Sequence, residues 1–580
     1  MHLAIIDWII IGLYCAFMLI LGIYYSKRAS AGVNEYFLSG RTLPWWIIGT
    51  SMVATTFSAD TPLAVTEFVR NGGIWRNWFW WNTAMGGLLS VFLFAQLWRR
   101  AKVITDNELI EIRYAGKPAA VLRAFKAMYF STIYNFVVMG WVIQAMATIL
   151  QVLLGISRDE QWLSIGICVA IALSYTVLSG FWGVVMTDLY QFAIGMVGAI
   201  VLAVVCLGKV GGVGELKAKL ATLSNPHEST LSFIPPFDNT SSPLHADFWT
   251  SSTFTLIIFL GLMWWSAHNA DGGGYIIQRM SAAKNEKHAT LATLWFNMAH
   301  YALRVWPWVI VALVTVVVFP ELSGSRAKEA YPKAITTFLP VGLKGVMVAS
   351  FLAAFMSTID THLNWGSSYF INDVYRRFFV KDATQKHYVL ISRCCSIVLM
   401  LIAAVVAMHL DSISKAWEFL LPMGMGVGLV LILRWFWWRI NAWSEISGLS
   451  ASVIINLILQ PFDLEVQHRI AIIVPSSIAI WMVVTFLTKP VPKERLVEFY
   501  KRVRPGGFWK PIKNEIKDVG KGTIGWRTLI NWISGVFLIY GTTFGIGKMI
   551  FQEFTTGGIL LGLALIGGVV IYLNFPKHLS

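Results

Sequence analysis

WWSAHNADGGGYIIQR, residues 264–279, interrupts a chain that has just begun to cross a membrane. The ten residues before it, FTLIIFLGLM, are almost wholly apolar. Then Ser266, His268, Asn269 and Asp271 arrive, with three consecutive glycines behind them. Each glycine costs a helix interior about 0.8–1 kcal/mol relative to alanine, and ionisable groups at membrane depth are costlier still. The spanning helix is therefore expected to unwind over residues 266–274.

A second interruption lies earlier. LPWWIIGTSMVATTFSADTPLAV (43–65) loses its apolar character at Thr55, Thr56, Ser58, Asp60 and Thr61. Pro62 lacks the N–H that a helix interior needs. This break is expected over residues 54–62. At about 20 apolar residues per crossing, the chain divides into about fifteen helices. They begin near residues 5, 45, 78, 123, 161, 184, 251, 290, 342, 389, 414, 443, 470, 528 and 556. Helices two to six and seven to eleven form two groups of five, and each group opens on a broken helix. A five-helix unit ends on the opposite face of the membrane from its start. Two in a row are thus inverted repeats about an axis in the membrane plane. The repeats are placed at 45–208 and 251–440, with an extra helix and loop at 1–44 and further helices at 441–580. Breaks that meet near the midplane expose carbonyls and half-helix ends suited to ions and polar solutes. Two unrelated polar kinks, satisfied by neighbouring helices, are the plainer alternative.

Composition agrees with an all-α polytopic membrane protein: 56% of the 580 residues are hydrophobic and 13% are charged. The net charge of +15 raises nucleic acid as a partner, but the excess lies in short loops, where it sets orientation. Alternate loops carry Lys27, Arg28 and Arg41; Arg99, Arg100, Lys102, Arg113 and Lys117; Arg279, Lys284 and Lys287; and Arg376, Arg377, Lys381 and Lys386. The segment 489–527 adds eleven more Lys and Arg. It reads as a solvated inside loop, with anionic lipid or a protein partner as the alternative. Positive charge inside puts the N-terminus outside the cell membrane and the C-terminus in the cytoplasm. No nucleic-acid partner is expected, and the functional unit is expected to be a monomer in the lipid bilayer. All five cysteines fall in apolar spans without metal-ligand spacing. The first span, from Ile5, lacks a basic leader and cleavage site and reads as retained.

The ninth span, GVMVASFLAAFMSTIDTHLNWGSSYF (345–370), brings Ala354, Ser357, Thr358 and Thr361 onto one face. Na⁺ is a hard ion that takes oxygen ligands. Hydroxyls here, with carbonyls freed around Ala54 and Phe57, suit it without a fixed charge. The same hydroxyls equally suit bonds back to their own helix or to a neighbour. Asp188, in GFWGVVMTDLYQF (180–192), is a candidate second ion position, or else a helix cap beside Thr187.

These stretches resemble the sodium:solute symporter family, whose members carry sugars, proline, pantothenate, sialic acid, iodide and other solutes. The likeness is spread over residues 5–490. Its most specific pieces are EYFLSGRTLPWW (35–46), the pattern Ser-Gly-x-x-x-Val-x-x-Thr-Asp-x-x-Gln (179–191), YIIQRMSAAK (275–284) and LAAFMST…LN…INDVY (352–375). The resemblance implies a leucine-transporter-type five-plus-five fold with extra flanking helices, working by alternating access. It also implies a sodium site made of the carbonyls of Ala54, Phe57 and Ala354 and the hydroxyls of Ser357 and Thr358, with Asp188 near the inner ion exit. There are departures. Where sugar carriers of the family have Gln, Asn and Lys, this chain has Thr61, Ser266 and His300, and the proline-type Asp is Thr56. Neither sugar nor proline transfers by likeness, and the NADGGG run is unusual for the family.

Solute contacts are expected from Asp60, Thr61, Asn82, Ser266, His268, Asn269 and His300, around the two breaks. Arg304 and Glu418 lie within reach as contacts, or Arg304 forms a structural bridge with Asp60 or Glu418, and Asp271 is placed either there or outside the membrane. The function expected is sodium-coupled import of a small polar organic solute, with Na⁺ as the only bound metal. A membrane-embedded enzyme such as an acyltransferase is the rival class, reading His300 with Asn269 as its machinery. A proton-coupled variant of the transporter would use Asp60, Asp360 or His300.

Overall fold

Both interruptions occur where the polar residues fall. The helix Trp45–Thr56 ends as Phe57 turns out of helical geometry (φ −87°, ψ 75°), and Asp60–Gly72 resumes beyond Ala59. The second helix stops at Ser266, where Ala267 is extended, and Gly274–Ala282 takes over. Between them Gly272 and Gly273 stand at φ 128° and 71°, conformations that residues with a Cβ adopt only under strain. The computed structural model describes residues 3–29, 33–223, 230–237, 240, 242–410, 413–516 and 525–575.

Neighbouring helices present glycine to the second break, so backbone meets backbone. A Cβ at Gly428 would lie 2.4 Å from the carbonyl oxygen of Trp265, and one at Gly86 would lie 2.6 Å from that of Trp264. The Gly426 N–H donates to the Ser266 carbonyl at 2.9 Å, restoring a bond that the break removed. Polar backbone is thus tolerated at depth because protein covers it.

The 27-residue helix Leu343–Tyr369 is buried along nearly all its length. Its first turn is capped from far away. Asp7, in the helix Ile5–Ala29, accepts from the N–H groups of Gly342 (2.7 Å) and Gly345 (2.8 Å). Two orphan donors at a helix N-terminus are thereby satisfied by a carboxylate. Asp7→Ala is expected to destabilise the protein by about 2 kcal/mol. Thermal unfolding in detergent checks this, and an unchanged midpoint would mean that the cap contributes nothing.

Among the described residues, eleven helices are long and apolar enough to cross a membrane. The two broken helices fall short because their breaks divide them. The two crossings expected from residues 161 and 184 form one continuous helical stretch, Gln161–Lys209. Within it Phe181–Lys209 is by itself long and apolar enough to cross, but no helix end falls near 184. Asp188 therefore sits inside a helix rather than capping one, and Thr187 donates instead to the Gly183 carbonyl at 2.9 Å.

The basic segment after residue 489 is not a freely solvated loop. Leu496, Phe499, Tyr500 and Val503 of the helix Lys493–Val503 are buried. Trp509 donates to the Trp435 carbonyl at 2.8 Å. The Arg113 guanidinium lies 5.4 Å from the Phe499 ring and 4.9 Å from the Trp509 ring. Aromatic and apolar contacts thus fasten the segment to the membrane helices. Residues 517–524 of it lie outside the described residues.

Candidate functional site

Two cavities flank the breaks, and Tyr275 lines both. The first, of about 190 Å³, is lined by Asp60, Thr61, His300 and Arg304, by Thr55, Thr56 and Thr358, and by the flat rings of Trp80, Trp141 and Trp417. The second, of about 90 Å³, lies beside the other break. Its lining includes His268, Asn269, Asp271 and the Gly272–Gly274 backbone, with Phe130, Tyr134, Trp365 and Tyr369.

The expected solute residues therefore divide. Asp60, Thr61 and His300 share the larger cavity, while His268 and Asn269 face the smaller one. Ser266 and Asn82 line neither. The Asn82 amide donates to the carbonyls of Trp78 (2.7 Å) and Phe79 (2.9 Å), and so ties up its own helix. Ser266 is buried beneath its neighbours. Glu418 is exposed. Asp271 lines the smaller cavity beside the second break, buried and paired with Arg434 at 2.6 Å.

A short relay orients the larger cavity. A π-helical turn, Ala299–Leu303, carries His300, and Arg304 follows it. The Thr56 hydroxyl donates to the Val53 carbonyl (2.9 Å) and so receives Nδ1–H of His300 (2.8 Å). That tautomer leaves His300 Nε2 to accept from Arg304 Nη2 at 3.2 Å. The Arg304 guanidinium lies over the rings of Trp308 and Phe57. Its buried Nη1 has no hydrogen-bond partner among the described residues, and neither has Oδ1 of Asp60. The expected Asp60–Arg304 bridge does not form. Both residues line the cavity, while these two atoms lie buried behind its wall.

The hydroxyls of Leu343–Tyr369 are ordered against the first break. Ser357 donates to Asp188 Oδ1 at 2.5 Å. The Thr358 hydroxyl lies 2.8 Å from the Thr55 carbonyl and 3.1 Å from that of Ala354. Each proton is thus directed at a protein acceptor, which leaves the oxygen lone pairs available to a cation. Ala54 lies in the last turn of Trp45–Thr56 and Phe57 just beyond it; the Ala54 carbonyl accepts the Phe57 N–H at 3.0 Å, and the carbonyl of this break that a hydroxyl of Leu343–Tyr369 reaches is that of Thr55. This oxygen set fits a hard monovalent ion.

Arg279 is the functional residue that sequence reading missed. It was counted with the loop charges, yet its side chain is fully buried and pairs with Asp188 at 3.2 Å. Its place in YIIQR, five residues before Lys284 and the polar stretch that follows, resembles a loop position, so no local signal separates the two.

Broken helices facing a hydroxyl-rich helix across an oxygen-lined cavity define a sodium-coupled secondary transporter rather than an enzyme. The sodium:solute symporter family profile matches residues 36–451, and the chain belongs to that family. It is 25% identical over 549 residues to sodium/glucose cotransporter 4 of Danio rerio, covering 85% of this chain and 80% of that one. It is 24% identical to the sodium/glucose cotransporter of Vibrio parahaemolyticus (79% and 86% covered). To human sodium/myo-inositol cotransporter 2 it is 27% identical (80% and 71%). Among solved structures, a Na⁺-coupled sialic acid symporter in a substrate-bound outward-open state superposes with a TM-score of 0.68 at 20% identity, covering 84% of this chain and 99% of that one. The fold is the leucine-transporter type with flanking helices. The chain carries out sodium-coupled solute import.

Proposed function

We propose that Na⁺ is held by the carbonyls of Ala54, Phe57 and Ala354 and the hydroxyls of Ser357 and Thr358, with Asp188 as a second ion position. The observation that carries this is the direction of the two hydroxyl protons, toward Asp188 and the helix carbonyls. The repeats are 45–208 and 251–440. The protein sits in the cell membrane as a monomer with its C-terminus in the cytoplasm, following the basic loops. The larger cavity then faces outward and the smaller one inward. Sodium ties the first break to Leu343–Tyr369 and completes the outer cavity. Solute binding closes it, and ion and solute leave through the cavity lined by His268 and Asn269. One Na⁺ crossing about 100 mV yields about 2.3 kcal/mol, and a tenfold gradient adds about 1.4. Together they sustain about 500-fold accumulation of a neutral solute.

The solute is a neutral molecule rich in hydroxyl groups, a sugar or polyol. Asp60 and Arg304 line the cavity with side chains of opposite charge, and tryptophan rings supply flat walls. Relatives are named for glucose and myo-inositol, although this chain has Thr61, Ser266 and His300 in place of the Gln, Asn and Lys of sugar carriers, so the assignment stands on the cavity lining. A thermal-shift panel of sugars, polyols and amino acids, with and without Na⁺, tests it. Sodium-dependent stabilisation is expected from a sugar or polyol, and from amino acids none. In Asp60→Asn and Arg304→Gln that solute effect is expected to vanish while stabilisation by Na⁺ alone persists. Stabilisation confined to amino acids, or solute effects unchanged in both variants, would refute the assignment.

A further inference from the structure

Arg279 lies at the heart of the groups assigned to sodium, although its helix, Gly274–Ala282, belongs to the other break. Its Nη2 donates to Thr361 Oγ1 (2.7 Å), Thr55 Oγ1 (2.8 Å) and Asp188 Oδ2 (3.2 Å). Its Nε donates to Ser51 Oγ (2.9 Å), and Ser51 in turn donates to Asp188 Oδ2. The Phe181 ring stands 5.5 Å from the guanidinium. Both partners of the ion pair have no exposed side-chain surface.

Asp188 is thus divided. One oxygen faces a permanent cation, and the other fixes the serine assigned to sodium. An arginine keeps its charge in such a place. Two cations drawing on one carboxylate, away from water, repel each other strongly.

We propose that Arg279 is the resident counter-charge of the sodium site and sets its affinity for the ion. Without sodium it neutralises Asp188, so the empty site holds no net buried charge. With sodium present it competes for the field of Asp188 and keeps the ion loosely held. Arg279 lines neither cavity, so it is a positioning residue and not a solute contact. Its Nη1 also donates to the carbonyl of Tyr275, the residue common to both cavities, at 3.4 Å. The ion pair therefore joins the ion site to the segment that separates the two cavities. This inference rests on the sodium assignment above.

The test uses the purified full-length chain in detergent. Binding is read as the sodium concentration that gives half-maximal thermal stabilisation, with choline holding ionic strength constant. Arg279→Gln is expected to lower that concentration at least about tenfold, and Asp188→Asn to raise it at least about tenfold. Arg279→Gln with Asp188→Asn restores a neutral pair and is expected to stay within about threefold of wild type, as is Arg279→Lys, which keeps the charge. An isolated buried Asp188 threatens folding in the single variant. If Arg279→Gln does not fold, the double variant must still bind sodium at least about threefold more tightly than Asp188→Asn alone. Unchanged or weaker binding on loss of Arg279, in either background, overturns the proposal. A wild-type chain with no sodium-specific stabilisation, or a Ser357→Ala/Thr358→Ala chain that keeps all of it, overturns the ion-site assignment instead.

Discussion

Alanine at both Ser357 and Thr358 is expected to abolish sodium-stimulated uptake and to leave the protein folded. The pair removes two of the five oxygens assigned to the ion. At about 1.5–3 kcal/mol for each charge-assisted contact, affinity falls by about 10²–10⁴-fold. Folding survives for reasons visible in the structure. Thr358 bonds only to carbonyls at 2.8 and 3.1 Å, and Asp188 keeps both Ser51 and Arg279 when Ser357 is lost. Uptake by cells or proteoliposomes with sodium or choline outside is the measurement. An undiminished sodium response in the double variant would remove the site from these residues.

Arg434→Met is expected to cost about 3–5 kcal/mol, enough to prevent accumulation of folded protein. Arg434 holds Asp271 at 2.6 Å and Glu445 at 3.2 Å, with all three buried. Its loss leaves two carboxylates facing each other's field with fewer donors. Asp271 retains Trp435 Nε1 at 3.0 Å, and Glu445 retains Tyr114 at 2.7 Å and Lys126 at 3.5 Å. Adding Asp271→Asn to Arg434→Met is expected to recover part of the loss. Size-exclusion yield and thermal midpoint of the three variants decide it. Normal yield for Arg434→Met alone would show that the bridge contributes little.

The breaks were legible because they are local. A proline among clustered polar residues, or three glycines in a row beside them, disfavours helix locally whatever the rest of the chain does. The hydroxyl face of Leu343–Tyr369 was legible for the same reason, since helical period alone aligns Ala354, Ser357, Thr358 and Thr361. The pairings were not. Arg279 meets Asp188 across 91 residues, and Asp271 meets Arg434 across 163. No local pattern encodes which buried charge finds which. Nor does sequence distinguish Asn82, which satisfies its own helix, from Asn269, which faces a cavity. Both are amides beside a break, and only packing separates them.

Asp7 has a bearing on how the chain is made. The amides it serves lie 335 and 338 residues further along. At a ribosome's pace of about 5–20 residues per second, that delay is about 17–70 s. The leading helix also packs against Gln161–Lys209, where the rings of Phe17 and Tyr190 meet at 5.2 Å, so it has a partner early, but its carboxylate waits for these two amides until the ninth crossing emerges. A nascent chain truncated before Gly342 carries a leading helix held on one side only, with the two amides that Asp7 serves not yet made.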